Sequence, residues 1–168
     1  MSPELRDLAV GLLDRHRIMT LATNRPDGWP QATVVGYVNE GLTLYCFISR
    51  LGQKYANIVR DARVSAAIAS DYSQPLDIRG LSLAGKAAPV TDASELDRAY
   101  EVFLKRHPEY AAWPRPSPAI SPMLRLTPII MSVLDYSKGF GHSDLVKIEA
   151  GDLKPSSSQR HHWLGHSS

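Results

Sequence analysis

Between Phe47 and Asn57 the chain reads FISRLGQKYAN. A hydroxyl (Ser49), a guanidinium (Arg50), an amide (Gln53) and an ammonium (Lys54) stand within six residues. An apolar run from Leu44 to Ile48 leads into them, and a helical pattern follows. A helix that begins near Leu51 leaves its first N–H groups without intrahelical partners, aimed back at Ser49. If the helical turn includes Arg50, Arg50 and Lys54 are four apart and share a face. A hydroxyl, a planar fork and a point charge at a helix N-terminus are what a phosphate dianion needs. A solvated turn with a basic rim has the same composition. The local residues alone favour that plainer reading, because short motifs of this kind recur by chance.

Two other stretches hold chemistry-bearing groups. In QATVVGYV, period-two alternation puts Gln31, Thr33, Val35 and Tyr37 on one face. Ala32, Val34, Gly36 and Val38 fall on the other, where small side chains would let a flat ring approach the backbone; barrel packing explains them equally. In GFGHSDL, Gly139 and Gly141 free the backbone beside Phe140 and His142. A histidine there can ligate a metal or heme, donate to a cofactor, or simply be solvated. The six histidines show no HExxH spacing, and His161 and His162 are adjacent, so no metal site is expected. There is no nucleophile elbow, Walker loop or Rossmann glycine fingerprint. No acid–base pair stands out, and no catalytic residue is assigned.

The elements that must carry these residues follow from pattern. Pro3 at a first helical position and Leu5, Leu8, Ala9, Leu12 and Leu13 at helical spacing predict an N-terminal helix. Strands are predicted at 18–23, 30–38 and 42–48, joined by the turns NRPDGWP and NEG into a meander. A short helix over 51–61, strands at 64–70 and 78–90, and a helix opened by Asp92 with Glu95 follow. Its core face is Leu96, Ala99, Tyr100, Phe103 and Leu104, and Pro108 stops it. The proline-rich stretch 108–118 is expected to be irregular. A sixth strand spans 127–137, with a possible short strand in 139–151. Strands joined by short turns exclude a doubly wound α/β fold. A mainly β protein, a barrel with peripheral helices, fits better.

The chain has 168 residues, 43% hydrophobic and 21% charged, with a formal net charge of +2. That is the composition of a soluble globular domain with a sizeable core. No run of like charge points to nucleic acid, and no apolar run is long enough for a membrane span. One cysteine, Cys46, excludes an internal disulfide. The charged N-terminus is not a signal peptide, so a cytoplasmic protein is expected.

The succession of segments resembles the pyridoxamine 5′-phosphate oxidase-like family of FMN-binding split barrels. The resemblance rests on RIMTLATNRPDGWPQATVVGYV, then GLTLYCFISRLGQKYANIVRDARVSAAIA, then LAGKAAPVTD and the helix after it. It implies a six-stranded antiparallel split β-barrel with flanking helices over residues 1–150, and a C-terminal tail over 151–168. It also implies a homodimer with FMN at the subunit interface. FMN phosphate would be held by Ser49, Arg50, Gln53 and Lys54, and the ring would lie along Thr33, Val34, Val35, Phe47 and Ile48. Phe140 and His142 would cover the ring from the second subunit. The activity implied is FMN-dependent oxidation or reduction of a small molecule. The ending RHHWLGHSS does not match well the arginine-containing segment with which the true oxidase grips its substrate. Three alternatives stay open: a heme-binding relative using His142, an F420-binding relative using Arg15 and Arg17, and a non-catalytic flavin or stress protein.

Overall fold

One antiparallel sheet curls until its two edges are neighbouring pieces of chain. The structure, a computed structural model, describes residues 3–149 and 152–155. Its strands are β1 (Ile18–Asn24), β2 (Pro30–Gly36), β3 (Val38–Glu40), β4 (Thr43–Phe47), β5 (Arg63–Ala69), β6 (Arg79–Pro89), β7 (Met123–Asp135), β8 (Ser143–Glu149) and β9 (Asp152–Pro155). Their order across the sheet is β2-β1-β5-β6-β7-β4-β3, with β8 and β9 added beside β7. β2 and β3 form opposite ends of that order, yet only Tyr37 separates them. The result is a split barrel with three helices, α1 (Pro3–Arg15), α2 (Gln53–Arg60) and α3 (Ala93–Arg106).

Alternation builds the core. Met19, Leu21 and Thr23 of β1 and Val64, Ala66 and Ile68 of β5 point inward, and their neighbours point out. Leu44, Leu83, Leu126 and Met131 fill the centre, and α1 adds Ala9, Leu12 and Leu13. The β1–β2 hairpin turns at Gly28, whose φ of 86° suits glycine. At Ala84/Gly85 the β6–β7 register shifts. A Cβ on Gly85 would lie 2.2 Å from the Thr127 carbonyl oxygen, so this bulge demands glycine as it bends the sheet.

Several expectations are corrected. The predicted strand 30–38 is not continuous. Tyr37 donates its N–H to the Arg17 carbonyl (3.0 Å) and its buried hydroxyl to the Leu13 carbonyl (2.8 Å). That anchorage breaks the strand, so β2 pairs with β1 while β3 pairs with β4. The expected meander becomes two hairpins, and β4 takes β7 as its other neighbour. Nine strand segments replace six. β7 starts at Met123 rather than 127, and Pro108–Ala112 forms a 3₁₀ turn. Asp92 caps α3 by accepting from Glu95 N–H (2.7 Å). The Glu95 carboxylate, however, goes to Arg125 (2.8 Å) and the Tyr45 hydroxyl (3.0 Å). β9 pairs with β8. Residues 156–168, with His161 and His162, lie outside the described residues. Among the described residues no helix is long and apolar enough to cross a membrane.

Candidate functional site

The break at Tyr37 opens a cleft. β2 pairs only with β1, and β4 is flanked by β3 and β7, so beyond Gly36 and Phe47 the two strands part. The Tyr37–Arg17 hydrogen bond sets the phase of the β1–β2 ladder. Residues two and four before Tyr37, Val35 and Thr33, therefore spend their backbone groups on β1. Val34 and Gly36 turn theirs away from β1, toward the cleft. A cavity of about 370 Å³ lies there, within the usual size of ligand sites. Gln31, Val34, Val35 and Gly36 form one wall; Phe47, Ile48, Ser49, Gly52, Gln53 and Lys54 form the other.

The chemistry of the second wall follows from how α2 begins. Gly52 is its N-cap, in extended conformation with no side-chain cap. Gln53 and Lys54 open the helix, so their N–H groups have no intrahelical partner. Ser49 closes the turn, its carbonyl accepting from Gly52 N–H (3.1 Å) and its hydroxyl from Leu51 N–H (3.3 Å). Lys54 is half-buried, and no hydrogen bond or ion pair joins it to a described residue. Burial pushes its ammonium below the ordinary value, partly opposed by the Cys46 thiol behind it. That thiol is itself pushed up to about 12 by complete burial. A partly desolvated cation with no partner among the described residues, beside helix amides without intrahelical partners, makes this corner of the cavity electropositive.

A buried amide network supports this wall. Asn57, on α2, is fully buried and donates to the Thr23 hydroxyl (2.9 Å) and the Gln31 side-chain amide oxygen Oε1 (3.1 Å). It accepts from the Gln53 amide (2.8 Å). Gln31 and Gln53, on opposite walls, are thus held by one side chain.

Of the residues expected at a site, the fold gathers Val34, Val35, Phe47, Ile48, Ser49, Gln53 and Lys54 around the cavity. Thr33 faces the barrel interior, where its hydroxyl oxygen is buried without a partner. Arg50 does not share a face with Lys54, because α2 starts three residues after it. Its guanidinium donates to the Pro118 carbonyl (2.9 Å) and the Tyr55 hydroxyl (2.9 Å) and lies over the Tyr55 ring. Phe140 and His142 are not at this cavity. Phe140 is exposed against Tyr136, and His142 Nε2 lies 3.1 Å from Asp144. Gln31, Gly36 and Gly52 are lining residues that sequence reasoning missed. The alternation of β2 had placed Gln31 beside Thr33, but only the fold brings it to α2. Among the described residues no three His, Cys, Asp or Glu side chains gather as a metal-ligating group.

The fold is an open-edged split barrel with an electropositive cavity where a strand meets a helix. The sequence signature of the pyridoxamine 5′-phosphate oxidase family matches residues 5–131, more than half the chain, and the chain belongs to that family. Members of this fold group include flavin-binding oxidases, heme-binding or heme-storage proteins and stress proteins. A heme binding protein from Mycobacterium smegmatis is similar in structure, with a TM-score of 0.74 and 24% identity; the match covers 88% of this chain and 59% of that one. General stress protein 26 from Bacillus anthracis gives 0.65 and 18%, covering 86% and 99%. The heme storage protein HutZ from Vibrio cholerae gives 0.59 and 19%, covering 76% and 89%. At these identities the likeness is one of fold. No protein with a curated description matches the chain.

Proposed function

We propose that the chain binds FMN in the β2–α2 cleft, as a homodimer, and acts as an FMN-dependent oxidoreductase on a small molecule. The observation that carries this reading is Lys54: a half-buried ammonium at the start of α2, with no partner among the described residues, beside the edge of β2 that pairs with none of them. A phosphate would complete it. Lys54, the Ser49 hydroxyl and the Gln53 and Lys54 amides would hold the phosphate. The outward backbone groups of Val34 and Gly36, with Gln31, suit the polar edge of a flavin ring. Val35, Phe47 and Ile48 offer its apolar faces a wall. Bound FMN supplies two-electron redox chemistry; the protein supplies position and electrostatics. Phe140 and His142 would act from the second subunit.

The test is to purify the protein without added cofactor and record its spectrum. Flavin absorbance, or uptake of FMN at micromolar concentration, supports the reading; a colourless protein that takes up none overturns it. Heme binding is the second reading, favoured by the names of two structural neighbours. Here a hemin titration should give a Soret shift that disappears in His142→Ala.

A further inference from the structure

A second, larger cavity opens off the first. It measures about 610 Å³ and shares Gly36 and Phe47 with the cofactor cleft. Its walls are aromatic. Phe47 meets Phe103 edge to face at 5.2 Å, and Phe103 meets Tyr110 at 5.3 Å. Trp113, Pro114 and Pro116 also line it. These residues come from α3 and the proline-rich segment behind it, which the sequence pattern assigns to core and irregular chain.

The polar groups of this chamber are few and committed. Glu109 is salt-bridged to Arg17. His107 stacks on Phe103, and its Nε2 lies 3.0 Å from the Tyr37 carbonyl. Arg17 can only donate, so it fixes His107 Nδ1, 3.1 Å away, as an acceptor. Among the described residues no Lys or Arg lines the chamber. Arg115, over the Tyr100 ring, is not a lining residue and is ion-paired with Asp97. A phosphate or carboxylate entering would give up hydration beside the Glu109 carboxylate, with the Arg17 guanidinium already engaged by Glu109 and His107. A flat, uncharged ring would lose little and gain aromatic contact.

We propose that this chamber is the substrate site, and that it selects an uncharged, planar, conjugated molecule over a phosphorylated one. The substrate role rests on the FMN reading above, because Gly36 and Phe47 join the chamber to the proposed ring site. Selectivity for uncharged rings stands on the chamber alone.

The test uses the full chain, with and without FMN, and two probes of similar flatness: menadione, which is neutral, and pyridoxine 5′-phosphate, which is anionic. Calorimetry should show menadione binding at least tenfold tighter. Trp113→Ala removes an exposed side chain that lines only the chamber. It should weaken menadione roughly three- to tenfold and leave FMN affinity unchanged. Equal or tighter binding of pyridoxine 5′-phosphate would overturn the selectivity, and an unchanged menadione affinity in Trp113→Ala would overturn the location. If FMN fails to bind while menadione binds and responds to Trp113→Ala, the flavin reading falls and the chamber stands. If FMN binds and menadione does not, the chamber proposal falls alone.

Discussion

Replacing Lys54 with Met tests the anion seat most directly, because the structure gives two opposite expectations for one substitution. With FMN, Lys54 would make a charge-assisted contact to phosphate. Losing it should cost about 1.5–3 kcal/mol, which is about tenfold to roughly 150-fold in Kd. Riboflavin lacks the phosphate, so its affinity should change less than about twofold. Without ligand the sign reverses. Burial lowers the Lys54 pKa, so in the empty protein the charged form opposes folding. That cost is present below the lowered folded pKa and is relieved as pH rises through it. Met keeps the apolar stem and removes the charge. Removing that cost should raise the Tm of the empty protein. Flavin fluorescence quenching gives both affinities, and scanning calorimetry gives the melting point. Equal losses for FMN and riboflavin, or a clear drop in the empty protein's Tm, would refute the assignment of Lys54 to phosphate.

Three further outcomes are expected. Arg50→Ala should weaken FMN binding less than about threefold, because its guanidinium is committed to Pro118 and Tyr55; limited proteolysis should instead find the segment near Pro118 loosened. Gly85→Ala should destabilise the fold by about 3 kcal/mol or more, since its Cβ would sit 2.2 Å from a backbone oxygen, and chemical denaturation would measure it. Cys46 should resist a thiol reagent such as DTNB at pH 8 in the folded protein and release one equivalent in denaturant, because its thiol is fully buried and pushed up to about 12. The same shift makes the unfolded chain lose this proton first. Cys46 therefore contributes stability below its ordinary value of 9.0 and loses it as pH rises toward 12.

Local pattern carried the elements a long way. Alternation in 18–23 and 64–70 marked both the strands and their inward faces, and the Asp92–Glu95 spacing marked the start of α3. The junction residues Ser49, Gln53 and Lys54 were visible because a strand and a helix meet there whatever surrounds them. Periodicity and capping act over a few residues, so a sequence displays them directly. The rest depended on partners distant in the chain. Tyr37 breaks its strand only because Arg17 and Leu13 come within reach of its backbone and hydroxyl. Arg50 turns away from Lys54 because Pro118, from another segment, presents it a carbonyl. Gln31 joins the site through Asn57. The aromatic chamber exists only where α3 packs over the end of β4, and no spacing in the sequence brings Phe47, Phe103 and Trp113 together. Short-range stereochemistry wrote the Ser49–Lys54 junction into the sequence; tertiary packing decided which side chains face it, and what lies next to it.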